Sequence, residues 1–300
     1  MQVVRSEIQG YCPGVKHAIT VAESLADSDR PVWTLGALVH NLHVQKSLES
    51  KGIRILISAD SMTGKPESPE HLKDALVVIR AHGASPAVEQ NLRSCGATVI
   101  DATCQKVKSN QHAAAQLAAQ SYRVFMAGDP LHAEIAGIKG YTPDLVVINS
   151  EIDAQKAAEQ MLHENRPEKT ALIGQTTLAL EDYESIGRVL SHFFPEILIL
   201  DSICSATRIR QKAMENLCDV VEAIIVVGGR HSANTGRLLL TAQKKGKPAW
   251  LVECAEEIPA EICRYTVTGL ASGASTPESL VDEVESALIS KMGTDLRIFL

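Results

Sequence analysis

The chain has few aromatic residues, no long apolar run and no cluster of basic residues, and each shortage excludes a class of protein. Only 4% of its 300 residues are aromatic, whereas 45% are hydrophobic, so alanine, valine, leucine and isoleucine must build the core. This composition is typical of parallel strands covered by helices. No apolar run reaches the roughly 20 residues that span a bilayer. A net charge of −7 argues against general nucleic-acid binding.

Several sequence signals are also missing. The start, MQVVRSEIQG, lacks the basic and apolar segments of a secretory signal, so we expect a cytoplasmic protein. In that compartment the seven cysteines are not expected to form disulfides. No C-x-x-C pair is present, which argues against a structural zinc site. The segment GGRHSANTG does not have the G-x-G-x-x-G spacing, so we expect electrons for any redox chemistry to come from outside the chain.

Three cysteines recur in a common register. Cys12, Cys104 and Cys204 each follow an apolar, strand-like run and precede a stretch in which apolar residues recur at helical spacing. A second strand-like run then ends at a glycine 24 residues after each cysteine, at positions 36, 128 and 228. The shared register predicts three similar units, each of which brings one thiolate to a shared place.

Polar side chains occupy matching positions in the three units. The residue 28 positions after each cysteine is His40, His132 or Ser232. A third strand-like run leads to a second polar group 70 to 72 positions after the cysteine, which contains His82, Gln175, Thr176 and Ser275. In parallel sheets, ligands gather beyond the carboxyl ends of the strands, where these residues fall.

The repeat predicts the fold class and the domain boundaries. We expect an α/β fold of three small units with parallel sheets, in a pseudo-threefold trefoil around a central iron–sulfur cluster. The expected units are 13–104, 105–200 and 201–300, with residues 1–12 packing near the centre.

Three converging thiolates favour an iron–sulfur cluster. The usual cubane takes four cysteines, so three would leave one iron without a protein ligand and open to substrate. The alternative is that these cysteines are merely core residues of a repeated fold. The remaining four lie where small apolar residues serve equally well, and we expect burial for Cys95, Cys218, Cys254 and Cys263.

The polar residues near the three cysteines are too numerous for an unfilled core. Cationic and neutral donors together suit a phosphate or diphosphate. The candidates are His40, His82, His132, Thr176, Ser232, Asn234 and Ser275. Glu134 is the acid among them, and a carboxyl next to a cluster and a dianionic ligand should have a raised pKa, which fits a proton donor. The alternative for Glu134 is an exposed carboxylate at the start of a helix.

The motifs around these residues are specific as a set. GYCPGVKHAI, LVHN, RAHG, DATC, HAEIAG, QTTL, SICSAT, GRHSANTGRL and SGASTP occur in this order along nearly the whole chain. In order and spacing they resemble those of the LytB-type 4-hydroxy-3-methylbut-2-enyl diphosphate reductases, which catalyse the last step of the non-mevalonate isoprenoid pathway.

The resemblance implies a cofactor, a reaction and roles for single residues. The implied reaction is reductive dehydroxylation to isopentenyl and dimethylallyl diphosphate, with a ferredoxin or flavodoxin as electron donor. Glu134, assisted by Thr176 and His132, would deliver the proton that lets the hydroxyl leave as water. The implied ligands of a [4Fe–4S] cluster with one open iron are Cys12, Cys104 and Cys204. The implied diphosphate ligands are His40, His82, His132, Ser232, Asn234 and Ser275.

Four positions depart from the family's usual pattern. Gln105 stands where a proline usually follows the second cysteine, and Gln111 stands where a histidine is usual. Ala133 and Ala233 occupy the middle of the His-x-Glu and Ser-x-Asn motifs. These departures leave two alternatives open: a paralogous iron–sulfur reductase of another anionic substrate, and a non-catalytic iron–sulfur sensor.

Overall fold

Three parallel β-sheets form the framework of the computed structural model, which describes residues 2–39, 41–56, 69–164, 169–290 and 297–298. The chain divides into two compact units. The one-sheet unit comprises Met1–Lys16, Val39–Leu48 and Ser205–Leu300, and the two-sheet unit comprises His17–Leu38 and Glu49–Cys204. Within the described residues there are ten α-helices, and the first two are α1 (Pro13–Glu23) and α2 (Leu42–Ser50).

The two-sheet unit contains two four-stranded sheets. The strands of the first are β2 (Val32–Leu35), β3 (Ile53–Leu56), β4 (Leu76–Ile79) and β5 (Thr98–Asp101), in the order β3-β2-β4-β5. Those of the second are β6 (Arg123–Ala127), β7 (Val146–Ile148), β8 (Thr170–Gly174) and β9 (Leu198–Ile199), in the order β7-β6-β8-β9. The helices are α3 (Pro86–Ser94), α4 (Gln105–Ala119), α5 (Ala133–Lys139), α6 (Glu151–Glu164) and α7 (Leu180–Phe193).

The one-sheet unit contains a five-stranded sheet. Its strands are β1 (Gln2–Arg5), β10 (Ala223–Val227), β11 (Ala249–Val252), β12 (Val267–Ser272) and β13 (Arg297–Ile298), in the order β11-β10-β12-β1-β13. Its remaining helices are α8 (Ser205–Val220), α9 (Ala233–Lys244) and α10 (Glu278–Ser290). All strand pairs in the three sheets are parallel.

The three sheets share one strand order. In each, the strand that leads to a cysteine lies beside the third strand of the repeat: β1 beside β12, β5 beside β4, and β9 beside β8. The N-terminal strand therefore takes, in the one-sheet unit, the place that β5 and β9 take in the other sheets. The predicted α/β class with three parallel sheets is confirmed. The threefold arrangement and the boundaries at 104 and 200 stay predictions.

Aliphatic side chains build the cores, as the shortage of aromatic residues predicts. Every residue of β4, β8 and β10 is buried, which is the pattern of central parallel strands covered on both faces. Phe125, Tyr183 and Phe194 are the larger aromatic members of the core around the second sheet.

Two of the repeated glycines are required by close packing. A Cβ atom on Gly128 would lie 2.6 Å from Oε1 of Gln175, and one on Gly228 would lie 2.7 Å from Oγ1 of Thr235 and of Thr276. These positions follow β6 and β10 directly, where the chain passes polar side chains at the ends of the strands. The backbone can approach them only without a side chain of its own.

Candidate active site

Cys104 and Cys204 occupy equivalent places in the two-sheet unit. Each follows the end of an edge strand, β5 or β9, and directly precedes a helix. The backbone N–H of Cys104 donates to the carbonyl of Ala81 at 3.0 Å, and that of Cys204 donates to the carbonyl of Thr176 at 3.1 Å. Each cysteine is thereby held at the end of the neighbouring strand. Ala81 is the neighbour of the predicted ligand His82, and Thr176 is itself a predicted site residue.

Cys12 repeats this arrangement in the one-sheet unit. It directly precedes α1, and its backbone N–H donates to the carbonyl of Ala274 at 3.0 Å. Ala274 is the neighbour of Ser275, just as Ala81 is the neighbour of His82. The repeat seen in the sequence is therefore also a repeat of backbone hydrogen bonds.

The three repeated cysteines are not buried in the cores. All three are partly exposed, and none of the seven cysteines, which all lie within described residues, forms a disulfide. Cys104 is the N-cap of α4 and makes no side-chain hydrogen bond to the helix.

No three His, Cys, Asp or Glu side chains of the described residues lie close enough to bind a single metal ion. An iron–sulfur cluster places less strict demands on proximity, because each cysteine binds a different iron. Cysteine thiolates are the usual ligands of iron–sulfur clusters, so the chemistry of the three repeated side chains is compatible with a cluster.

The expected burial of the other four cysteines is only partly right. Cys218 is buried in the core of the one-sheet unit, whereas Cys95 and Cys254 are partly exposed. Cys263 is exposed, so the prediction is wrong there. It lies in a short 3-10 helix in which Ile262 takes the buried position.

Glu134 is completely buried in the first turn of α5. Its Oε1 accepts a hydrogen bond from the backbone N–H of Thr176 at 2.9 Å, and its Oε2 accepts one from the Thr176 hydroxyl at 2.7 Å. Burial raises the pKa of Glu134 to about 7, although the bonds from Thr176 and Asn110 act in the opposite direction. The alternative of an exposed helix-start carboxylate is wrong. The main cause of the raised pKa is burial, not the neighbouring negative charge that the sequence analysis invoked.

Asn110 belongs to the same buried cluster, although the sequence analysis did not single it out. Its side chain is bonded to Glu134, and its Nδ2 donates to the carbonyls of Gly174 and Ser202 at 3.2 Å each. It therefore connects the acid to the end of β8 and to the segment that leads to Cys204. The register did not single it out, because the residues six positions after Cys12 and Cys204 are Ala18 and Arg210.

His82 and His132 lie next to each other in the two-sheet unit. Their rings meet edge to face, with centroids 5.1 Å apart. His132 is the N-cap of α5, and its Nδ1 accepts a hydrogen bond from the backbone N–H of Glu134 at 3.2 Å. Because Nδ1 is an acceptor, the ring proton is on Nε2, where it can be donated to an anion.

Ser232, Asn234 and Ser275 lie at the loops that follow β10 and β12 in the one-sheet unit. Ser232 is the N-cap of α9, since its hydroxyl accepts from the backbone N–H of Thr235 at 3.4 Å. Oδ1 of Asn234 accepts from the backbone N–H of Ala274 at 2.9 Å, which brings the α9 N-terminus to the residue before Ser275. His40, the remaining predicted ligand, lies outside the described residues.

These features agree with the comparisons to known proteins. The family model described as LytB protein matches residues 3–289. The chain belongs to the LytB family. A Treponema denticola protein named 4-hydroxy-3-methylbut-2-enyl diphosphate reductase is 40% identical over 295 residues, covering 96% of this chain and 99% of that protein. A protein of the same name from Caldanaerobacter subterraneus is 33% identical, covering 98% and 99%.

The solved structures of LytB-type enzymes include a close match in fold. The structure of E-1-hydroxy-2-methyl-but-2-enyl-4-diphosphate reductase from Plasmodium falciparum has a TM-score of 0.88 with 26% identity, and the match covers 100% of this chain and 92% of that one. The predicted membership of this enzyme family is confirmed. No helix in the described part of the chain is long and apolar enough to cross a membrane.

The departures from the LytB pattern have modest structural effects. Gln105 is exposed at the start of α4, so a proline is not needed there. Gln111 is buried, and its Nε2 donates to the carbonyl of Ala84 at 3.4 Å. Ala133 and Ala233 are the first residues of α5 and α9, positions that a small side chain can occupy without loss of the cap before them. His112, the neighbour of Gln111, is exposed and does not replace a buried histidine.

Proposed function

We propose that this chain reduces 4-hydroxy-3-methylbut-2-enyl diphosphate to isopentenyl and dimethylallyl diphosphate. The reaction uses two electrons and two protons, breaks the C–O bond to the hydroxyl group and releases water. Membership of the LytB family supports it, and so does the name that the relatives share. The observation that carries the proposal in this chain is Glu134, a fully buried carboxyl with a pKa raised to about 7. It accepts hydrogen bonds from Thr176, whose carbonyl accepts the backbone N–H of Cys204.

The proposed cofactor is a [4Fe–4S] cluster with Cys12, Cys104 and Cys204 as its ligands. When bound, such a cluster would supply single electrons and a Lewis-acidic iron without a protein ligand. The chain supplies three partly exposed thiols, each placed directly before a helix by a backbone hydrogen bond to a neighbouring strand tip.

Glu134 is the proposed proton donor to the leaving hydroxyl group. A pKa of about 7 keeps much of the carboxyl protonated near neutral pH and still lets it release the proton. Thr176 fixes both carboxyl oxygens and stabilises the carboxylate that remains after the transfer. The backbone N–H of Glu134 donates to Nδ1 of His132 and orients its ring, so the position of the histidine is tied to that of the proposed proton donor.

The proposed diphosphate ligands provide neutral and cationic donors. In the two-sheet unit they are His82 and His132, and in the one-sheet unit they are Ser232, Asn234 and Ser275, with His40 as a further ligand. Ser232 and Asn234 lie at the start of α9, where the helix N-terminus favours an anion. We also propose a ferredoxin or flavodoxin as electron donor and the cytoplasm as the compartment.

The test is an anaerobic assay of the purified protein. Iron and sulfide are quantified first, and the reductant-dependent loss of 4-hydroxy-3-methylbut-2-enyl diphosphate is then followed with identification of the products. We expect a four-iron cluster and both isopentenyl and dimethylallyl diphosphate. A four-iron cluster without turnover, in the presence of a competent reductant, would instead favour a paralogous reductase or a sensor. Absence of the cluster would overturn the proposal.

A further inference from the structure

Arg210 is a buried cation whose hydrogen bonds all go to backbone carbonyls. It lies on α8 and is 3% exposed. One terminal nitrogen, Nη1, donates to the carbonyl of Ser272 at 2.9 Å and to that of Ile8 at 3.4 Å, and Nη2 donates to the carbonyl of Gly10 at 3.0 Å. Within the described ranges it forms no ion pair with a carboxylate.

The charge of Arg210 therefore lacks an ordinary counterion. A guanidinium stays charged even when buried, and a buried charge is costly unless an anion accompanies it. Burial lowers the pKa of Arg210, and the electrostatic interaction with Cys12 acts in the opposite direction. The Nε–H group of Arg210 is also buried and has no hydrogen-bond partner among the described atoms. Negative charge near Cys12 would therefore stabilise the buried guanidinium.

The hydrogen bonds of Arg210 hold the segment that leads to Cys12. Gly10 lies two residues before the cysteine, and Ser272 is the last residue of β12. The backbone N–H of Gly10 also donates to the Ser272 hydroxyl at 3.0 Å. Arg210 thus links the end of β12 to the segment that leads to Cys12.

The two-sheet unit builds the same connection with a neutral side chain. Asn110 lies six residues after Cys104, as Arg210 lies six residues after Cys204. Asn110 donates to the carbonyl of Ser202, two residues before Cys204, and to that of Gly174, the last residue of β8. The N–H of Gly174 donates to the Ser202 hydroxyl at 2.6 Å. An amide suffices for this connection in the two-sheet unit, so the connection alone does not account for the positive charge of Arg210.

We propose that Arg210 is a positioning residue for Cys12 whose charge also stabilises the reduced, more negative state of the cluster that Cys12 would bind. The inference rests on the proposed function, because it needs the cluster. A fixed cation near an iron–sulfur centre favours the added electron, since cluster potentials depend on nearby charge and hydrogen bonds. Removing the charge should therefore lower the reduction potential, whatever the substrate.

The test compares Arg210→Gln and Arg210→Lys in the anaerobic, cluster-loaded protein. The readouts are iron and sulfide content and the midpoint potential of the cluster in a redox titration without substrate. Arg210→Gln keeps amide donors and loses the charge, whereas Arg210→Lys keeps the charge. Lys212→Gln is the matched control, because it removes an exposed cation two residues further along α8.

We expect Arg210→Gln to disfavour the reduced cluster by about tenfold, which is about 59 mV for one electron. Arg210→Lys and Lys212→Gln should stay close to wild type. Loss of the cluster in Arg210→Gln but not in Arg210→Lys would also support a need for the charge. An unchanged potential in Arg210→Gln would overturn the role proposed for the charge, and so would loss of the cluster in both variants, because the charge that Arg210→Lys keeps would then not suffice. A wild-type protein without iron and sulfide would overturn the proposed function itself.

Discussion

The two compact units use the same backbone arrangement for different chemistry. Both place a cysteine before a helix and tie it to a neighbouring strand tip. In the two-sheet unit the residue six positions after the cysteine is Asn110, which contacts the buried acid Glu134. The residue six positions after Cys204 is Arg210, a buried cation that belongs to the one-sheet unit and interacts there with Cys12. The repeat thus fixes the backbone geometry, whereas the side chain at this offset differs: a neutral amide that contacts the proposed proton donor in one case, and a buried cation in the other.

The largest effect is expected from the cysteines, and it tests whether the two units contribute equally. Cys12→Ser and Cys104→Ser should each lose most of the bound iron and sulfide, because a hydroxyl is a poor substitute for a thiolate ligand. Cys263→Ser is the control, since that thiol is exposed and outside the repeat. Full iron and sulfide in either variant would mean that the replaced cysteine is not a ligand of the cluster, and in Cys12→Ser it would mean that the one-sheet unit supplies no cysteine ligand.

Replacement of Glu134 should separate proton delivery from cluster binding. Glu134→Gln keeps the shape and can keep both bonds to Thr176, yet it cannot donate an acidic proton. We expect turnover to fall by about 10²–10⁴-fold with an unchanged cluster spectrum. Glu151→Gln, an exposed carboxylate in the first turn of α6, is the matched control. Undiminished turnover would mean that Glu134 of the two-sheet unit is not the proton donor.

A substitution in the one-sheet unit should have the complementary effect. Ser275→Ala removes one neutral donor to the proposed diphosphate, and a hydrogen bond to a charged group is worth about 1.5–3 kcal/mol. We expect KM to rise by at least about tenfold, whereas the pH dependence of kcat stays that of the wild type. A shift of the pH profile in this variant would contradict the division of roles between the units. The assay is steady-state kinetics from pH 6 to 9.

The sequence predicted the repeating parts of this molecule better than the singular ones. Cys12, Cys104 and Cys204, with the glycines and polar residues at fixed offsets, led to three parallel sheets because a repeated register is a property of the backbone. Asn110 was missed because an asparagine within an apolar helical pattern shows its partner only after folding. The exposure of Cys263 was missed for a related reason, since a short 3-10 helix has no apolar period that would reveal which side faces solvent.

The raised pKa of Glu134 should also leave a smaller mark on stability. An ordinary carboxyl of this type titrates near 4.5, and burial raises the pKa of this one to about 7. The native state therefore holds a proton that the unfolded state has lost between these values, so the free energy of unfolding falls as pH rises from 4.5 to 7. The loss is at most roughly 3–4 kcal/mol, from about 1.4 kcal/mol per pKa unit. Anaerobic thermal unfolding at pH 5 and pH 8 measures it, and Glu134→Gln should lose less stability over that interval than the wild type.

Because Asn110 and Thr176 stabilise the ionised carboxyl, Thr176→Val should lose more stability than the wild type over the same interval. An equal loss in all three proteins would mean that the pKa of Glu134 is not raised in the native state.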